Sequence, residues 1–203
     1  AQDIIELQDE GFLVVGFRDR YSQGGKNGLI ARFDKDGNLL WEKEIADESN
    51  RNEIIYSISE TSDGQYFLCS KINKEDNNNE YFPRIMKMDS FGNIGWIKNF
   101  KSNGSVFHQF RATTTQSKDL VIVGSSTNIL SSGYNTDAFM IRLDQNGKTI
   151  WSEAYGTYDN DDLGWSVFET DYNNLVIVGS TKSYGASLFD ILLIRTNAEG
   201  RIE

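Results

Sequence analysis

The sequence predicts an all-β fold, a β-propeller of four-stranded antiparallel blades, on three observations. Tryptophans 41, 96 and 151 stand 55 residues apart, each four residues after a turn glycine (Gly37, Gly92, Gly147), and a fourth such glycine is Gly200. Upstream, the runs FLVVGF, YFLCSK, LVIVGS and LVIVGS place Gly16, Ser70, Gly124 and Gly179 at spacings of 54, 54 and 55 residues. Helical periodicity is absent, whereas short strand-like runs bounded by Gly, Asn and Asp recur in every repeat.

Each repeat reads as four strands. Strand a is DIIELQ, YSISET, FRATTT or WSVFET. Strand b is the FLVVGF-type run, apolar on both faces, so it must be covered from both sides, unlike an alternating strand with one wet face. Strand c, GLIARF in the first repeat, runs into a turn such as DKDGN, whose glycine supplies the positive φ that a tight antiparallel turn needs. Strand d opens at the tryptophan. Four short double-sided strands every 50 to 55 residues match a propeller blade. A β-sandwich fits less well, because its strands alternate wet and dry faces and do not recur in this register.

The repeats run over approximately 1–50, 51–105, 106–160 and 161–203, a single propeller region whose last blade is cut short in strand d. The chain reads either as a closed four-blade ring or as an arc of a larger propeller, and the missing fourth tryptophan favours the longer parent. An arc leaves open blade faces of about 500 Å² each, worth on the order of 10 kcal/mol, so further blades or a second copy are expected to cover them.

These motifs resemble the secreted bacterial β-propeller repeat proteins, whose repeats read roughly DGGYIVAG, a loop, then DxYLIKLDxNGNxxW. The matching residues are Gly16, Gly124 and Gly179, Asp137 and Asp190 opening strand c, the basic Arg32, Lys87, Arg142 and Arg195, and the turn acids Asp34, Asp89 and Asp144. The second repeat departs from the pattern, with Phe82 for the opening Asp and Ser70 for Gly. The resemblance implies a scaffold of exported or envelope proteins with no single activity attached, hence an extracellular or cell-envelope location.

Twenty basic and 30 acidic side chains give a net charge of −10, which repels phosphate backbones, so nucleic acid is not an expected partner. Apolar runs are far shorter than the ~20 residues of a spanning helix, and no membrane insertion is expected. One cysteine, Cys69, aligns with Val15, Val123 and Val178 as a core residue, and the only histidine, His108, aligns with Ile54 and Leu163. The acids of the repeat are expected to neutralise its bases: Arg32, Lys87, Arg142 and Arg195 would pair with Glu6, Glu60 and Glu169, leaving Arg142, whose repeat has Thr114, as the odd member.

No catalytic constellation stands out, and no cofactor is implied. The DKDGN run lacks the downstream glutamate of a calcium loop and reads as a hairpin turn, while Asp159, Asp161 and Asp162 are weak candidates for a calcium site. Asn103-Gly-Ser105 is a glycosylation sequon that matters only in a eukaryotic secretory pathway. Tyr56, Phe110 and Trp165 align at the start of strand a as a packing ring.

The b-to-c and d-to-a connections run to about ten residues and emerge on one rim, which carries Tyr21, Tyr81, Tyr134, Tyr158 and Tyr184 among Asn and Ser. Such loops suit contact with a sugar ring or a protein face. The tight-turn rim, with Gly37, Gly92, Gly147 and Gly200, is expected to be inert. The expected function is therefore a non-enzymatic binding or scaffold module of a secreted or cell-surface bacterial protein, recognising a glycan or protein through those tyrosines. Its alternatives are a polysaccharide hydrolase or lyase using loop carboxylates such as Asp159, Asp161 and Asp162, and a purely structural blade array.

Overall fold

A computed structural model describes residues 1–20, 25–46, 52–74, 77–100, 107–127, 135–185 and 188–203, without the side chains of 74, 77–80 and 107–109. Among the described residues fifteen strands follow one another: β1 (Asp3–Glu6), β2 (Phe12–Asp19), β3 (Lys26–Phe33), β4 (Leu39–Ile45), β5 (Glu53–Glu60), β6 (Tyr66–Lys74), β7 (Asn77–Met88), β8 (Ile94–Asn99), β9 (Phe107–Thr114), β10 (Leu120–Thr127), β11 (Thr136–Leu143), β12 (Thr149–Tyr155), β13 (Asp162–Glu169), β14 (Leu175–Thr181) and β15 (Asp190–Thr196). They pair only within repeats, as antiparallel sheets β1-β2-β3-β4, β5-β6-β7-β8, β9-β10-β11-β12 and β13-β14-β15. Each sheet is one propeller blade. In the fourth, strand d survives as a single bridge between Thr196 and Ile202.

The chain forms two compact units, Ala1–Lys101 and Ser102–Glu203, each holding two blades. In the first unit Leu13, Val15 and Ile30 of one blade pack with Ile55, Ile58, Leu68, Met86 and Met88 of the other. In the second, Val121, Val123 and Met140 pack with Val167, Leu175 and Ile177. Burying these side chains is what holds blade to blade, at roughly 25 cal/mol for each Å² of apolar surface removed from water. The outer face of the fourth blade leaves Trp165, Phe168, Val178, Ile191 and Leu193 exposed.

The spacing from turn glycine to tryptophan has a direct cause. A β-carbon on Gly92 would stand 2.9 Å from the Trp41 ring of the preceding blade, and one on Gly200 would stand 2.9 Å from the Trp151 ring. The Trp151 indole N–H also donates to Ala198 O at 3.1 Å, and the buried Tyr155 hydroxyl donates to Gly200 O at 2.7 Å. Within each unit, then, a tryptophan of one blade lies on the c-to-d turn of the next, and a side chain there would push it off.

Those turns are five-residue loops. Asp34 N donates to Asn38 O at 2.9 Å and Gly37 N to Asp34 O at 3.1 Å, with Gly37 at φ 82°, so one left-handed residue closes a five-residue loop. The Asp34 carboxylate accepts from Asp36 N and Asn38 N at 3.0 and 2.8 Å. Asp89 and Asp144 repeat the arrangement, and Asn197 does so without charge. The DKDGN carboxylate is thus committed to its own turn. Strand d starts two residues before each tryptophan, at Leu39, Ile94 and Thr149.

The pairing of the repeat's bases also differs from expectation. Arg32 bonds Asp9, Lys87 lies 3.9 Å from Asp63, and Arg142 Nε donates to Asp119 at 2.9 Å and its Nη2 to Ser117 Oγ at 2.7 Å. The partners are therefore the acids of the a-to-b turn, not the strand-a glutamates. Arg195 is the odd member, more than half exposed and 3.3 Å from Glu203.

Candidate functional site

In the second unit, the d-to-a and b-to-c connections of the loop rim converge on Asp162, the first residue of β13. Its side chain is fully buried. Oδ2 accepts from Thr157 N at 3.0 Å and from Ser183 Oγ at 2.5 Å, while Oδ1 accepts from Thr181 Oγ1. Thr157 Oγ1 and Ser183 Oγ are themselves 2.6 Å apart, so one carboxylate and two hydroxyls tie both loops together. A buried carboxylate needs this many donors, because losing water without replacement costs several kcal/mol.

A second buried carboxylate, Asp137 at the start of strand c, stands beside it. The place a β-carbon of Gly156 would occupy lies 2.6 Å from Asp137 Oδ1 and 2.8 Å from Asp162 Oδ2. Glycine is thus required where the chain leaves β12 and passes between two acids. Asn135 Nδ2 donates to Asp137 Oδ1, Thr157 O and Asn160 O at 3.4, 3.2 and 3.3 Å. Asp161 forms an ion pair with Lys182 at 2.7 Å and accepts from Thr136 N at 2.9 Å, and the Lys182 ammonium lies 4.5 Å from the centroid of the Phe189 ring.

On this pinned platform Tyr158 and Tyr184 are 63% and 61% exposed. Tyr158 stands in the d-to-a connection and Tyr184 in the b-to-c connection. Tyr21 and Tyr134 lie outside the described residues. Tyr81 is no loop residue: β6 and β7 extend into what reads as a ten-residue loop, Tyr81 pairs with Asn73 across them, and its half-buried ring lies 4.4 Å from the Lys71 ammonium. Asp159 is exposed, Asp161 serves Lys182, and Asp162 is saturated by its own loops. Among the described residues no three His, Cys, Asp or Glu side chains gather as a metal site.

The other candidates separate. Cys69 is fully buried. His108 belongs to β9, its side chain outside the described residues, as is the Asn103 sequon. The strand-a aromatics differ in burial: Phe110 is buried, Tyr56 is half-buried, and Trp165 is 45% exposed with its indole N–H donating to Ser180 Oγ at 3.1 Å. Tyr56 and Trp165 sit at β-bulges, which re-aim a side chain by inserting one residue.

Two features escape the sequence reading. One is the buried pair Glu53–Arg84 at 2.9 Å, completed by Ser70 Oγ donating to Glu53 at 2.7 Å and by Arg84 Nε donating to Asn99 at 2.8 Å. Its signal was Ser70, the one departure from glycine at that register. The other is a cleft of ≈ 430 Å³ in the first unit at the tight-turn rim, the rim expected to be inert.

No protein-family model and no curated protein matches the chain. Solved structures do. Hadza microbial sialidase Hz136 is similar at a TM-score of 0.69 and 11% identity, over 98% of this chain and 44% of that one. The endo-arabinase from Bacteroides thetaiotaomicron VPI-5482 is similar at a TM-score of 0.60 and 12% identity, over 98% of this chain and 75% of that one. The chain spans less than half the length of the sialidase, and at these identities the likeness is one of fold.

Proposed function

We propose that this chain is a carbohydrate-directed propeller module working outside the cell, with its loop rim as the contact face. The observation that carries the reading is the platform around Asp162, where two loops are tied to one buried carboxylate and present Tyr158 and Tyr184 to solvent. Rigid loops holding exposed aromatic rings lose little entropy on binding, and a tyrosine offers a flat face for a sugar together with a hydroxyl. The fold likeness to a sialidase and an endo-arabinase supports carbohydrate as the ligand class.

That same likeness favours a second reading, hydrolysis, in which the loop carboxylates Asp159 and Asp161 do the acid and base work that glycosidic cleavage takes from a carboxylate pair. A glycan array probed with the wild type and with the Tyr158→Ala/Tyr184→Ala variant tests recognition: binding confined to the wild type supports it, and equal binding by both rejects the assigned face. Release of reducing sugar by the wild type, lost in Asp161→Asn, would favour the enzyme.

A further inference from the structure

The cleft at the opposite rim of the first unit lies between its two blades, where the a-to-b turns of both meet. Gln8, Asp9, Arg32, Glu60, Asp63 and Tyr66 line it. Its ≈ 430 Å³ falls at the small end of the range of small-molecule sites, about 300–1,000 Å³.

Tyr66 sets this place apart from every other repeat. The residue opening strand b is Phe12 in the first repeat, Leu120 in the third and Leu175 in the fourth, so only the second carries a hydroxyl there. Tyr66 is 5% exposed, and its hydroxyl makes no hydrogen bond among the described residues. The hydroxyl oxygen is therefore open to the cleft, where the apolar residues that fill the position in the other repeats offer no polar group. Burial, and then the charge of Glu60, raise its pKa above the ordinary phenol value, so it is a neutral donor and acceptor at physiological pH.

The charges around it are unequal. Asp9, Glu60 and Asp63 supply three carboxylates to the lining and Arg32 one guanidinium, with Lys87 behind Asp63 at 3.9 Å. A cation entering the cleft meets a net negative wall and an open phenolic oxygen.

We propose that this cleft binds the ammonium group of a small polar molecule, an amino sugar being the class that fits its size, with Tyr66 and the facing carboxylates as acceptors. The proposal is independent of the loop-rim reading.

The test is isothermal titration of the full chain with D-glucosamine and, in parallel, with N-acetyl-D-glucosamine, which keeps the ring and removes the charge. Glucosamine should bind at least about tenfold more tightly, the equivalent of one charge-assisted hydrogen bond. Tyr66→Phe should weaken glucosamine by about tenfold while leaving the melting temperature within a few degrees, since Phe12 already serves at the same position of the first repeat. Equal affinity for the two sugars, no binding of either, or glucosamine binding unchanged in Tyr66→Phe would each overturn the proposal.

Discussion

Trp41 lies over Gly92 so closely that a β-carbon there would stand 2.9 Å from the indole ring. Gly37, the same turn position in the first blade, has nothing within 4 Å of the corresponding point. Both glycines adopt positive φ, 82° and 78°, so alanine at either meets the left-handed penalty of about 1–2 kcal/mol. Gly92→Ala should cost at least about 1 kcal/mol beyond Gly37→Ala, because only there must a packed ring move. Urea midpoints of the two variants measure the difference, and equal midpoints would remove the tryptophan from the explanation of the repeat.

The Glu53–Arg84 pair is the most deeply buried ion pair described, with side-chain exposures of 0% and 6%. Arg84→Met leaves Glu53 buried beside Ser70 without its cation and should destabilise the chain by about 3–5 kcal/mol. Replacing both partners, as Glu53→Leu/Arg84→Met, should recover most of that loss, because no charge is then stranded. A double-mutant cycle on denaturation midpoints reads both outcomes.

The turn carboxylates make stability depend on acid. Asp34 is held below the usual carboxylate range chiefly by the Asn38 side-chain amide, and Asp89 chiefly by the Asn93 backbone N–H. A depressed pKa contributes stability that is complete above the unfolded value and is lost as pH falls through the folded one, here below about pH 4. Asp34→Asn/Asp89→Asn should keep the turns, since Asn197 accepts from Glu199 N and Arg201 N at 3.1 and 2.9 Å. The variant's denaturation midpoint should therefore fall less than the wild type's on acidification to about pH 3.

What could be read from the sequence was whatever repeats. The 55-residue register of Trp41, Trp96 and Trp151 identified blades and strand order, because every blade must fit the same neighbour geometry. Less legible were the partners of Arg32, Lys87 and Arg142. Asp9, Asp63 and Asp119 come close only once the a-to-b turn folds over strand c, and Asp119 occupies a turn position different from the other two. Tyr81 was misplaced because nothing in its polar surroundings says that β6 and β7 run on as a hairpin. Loop acids look alike in sequence, so Asp162 was indistinguishable from Asp159 until burial and three donors separated them. The useful signals were the exceptions to the repeat, Ser70 and Tyr66, each a hydroxyl added where another repeat carries none.

The central claim, that carbohydrate meets the loop rim, is tested most directly by affinity electrophoresis through gels containing bacterial and plant polysaccharides, arabinan and a sialylated glycan among them. The account predicts that at least one polysaccharide retards the wild type, that Tyr158→Ala/Tyr184→Ala restores free migration, and that the variant's melting temperature stays within a few degrees. A wild type that migrates freely through every gel, or a double variant retarded as strongly as the wild type, would contradict it.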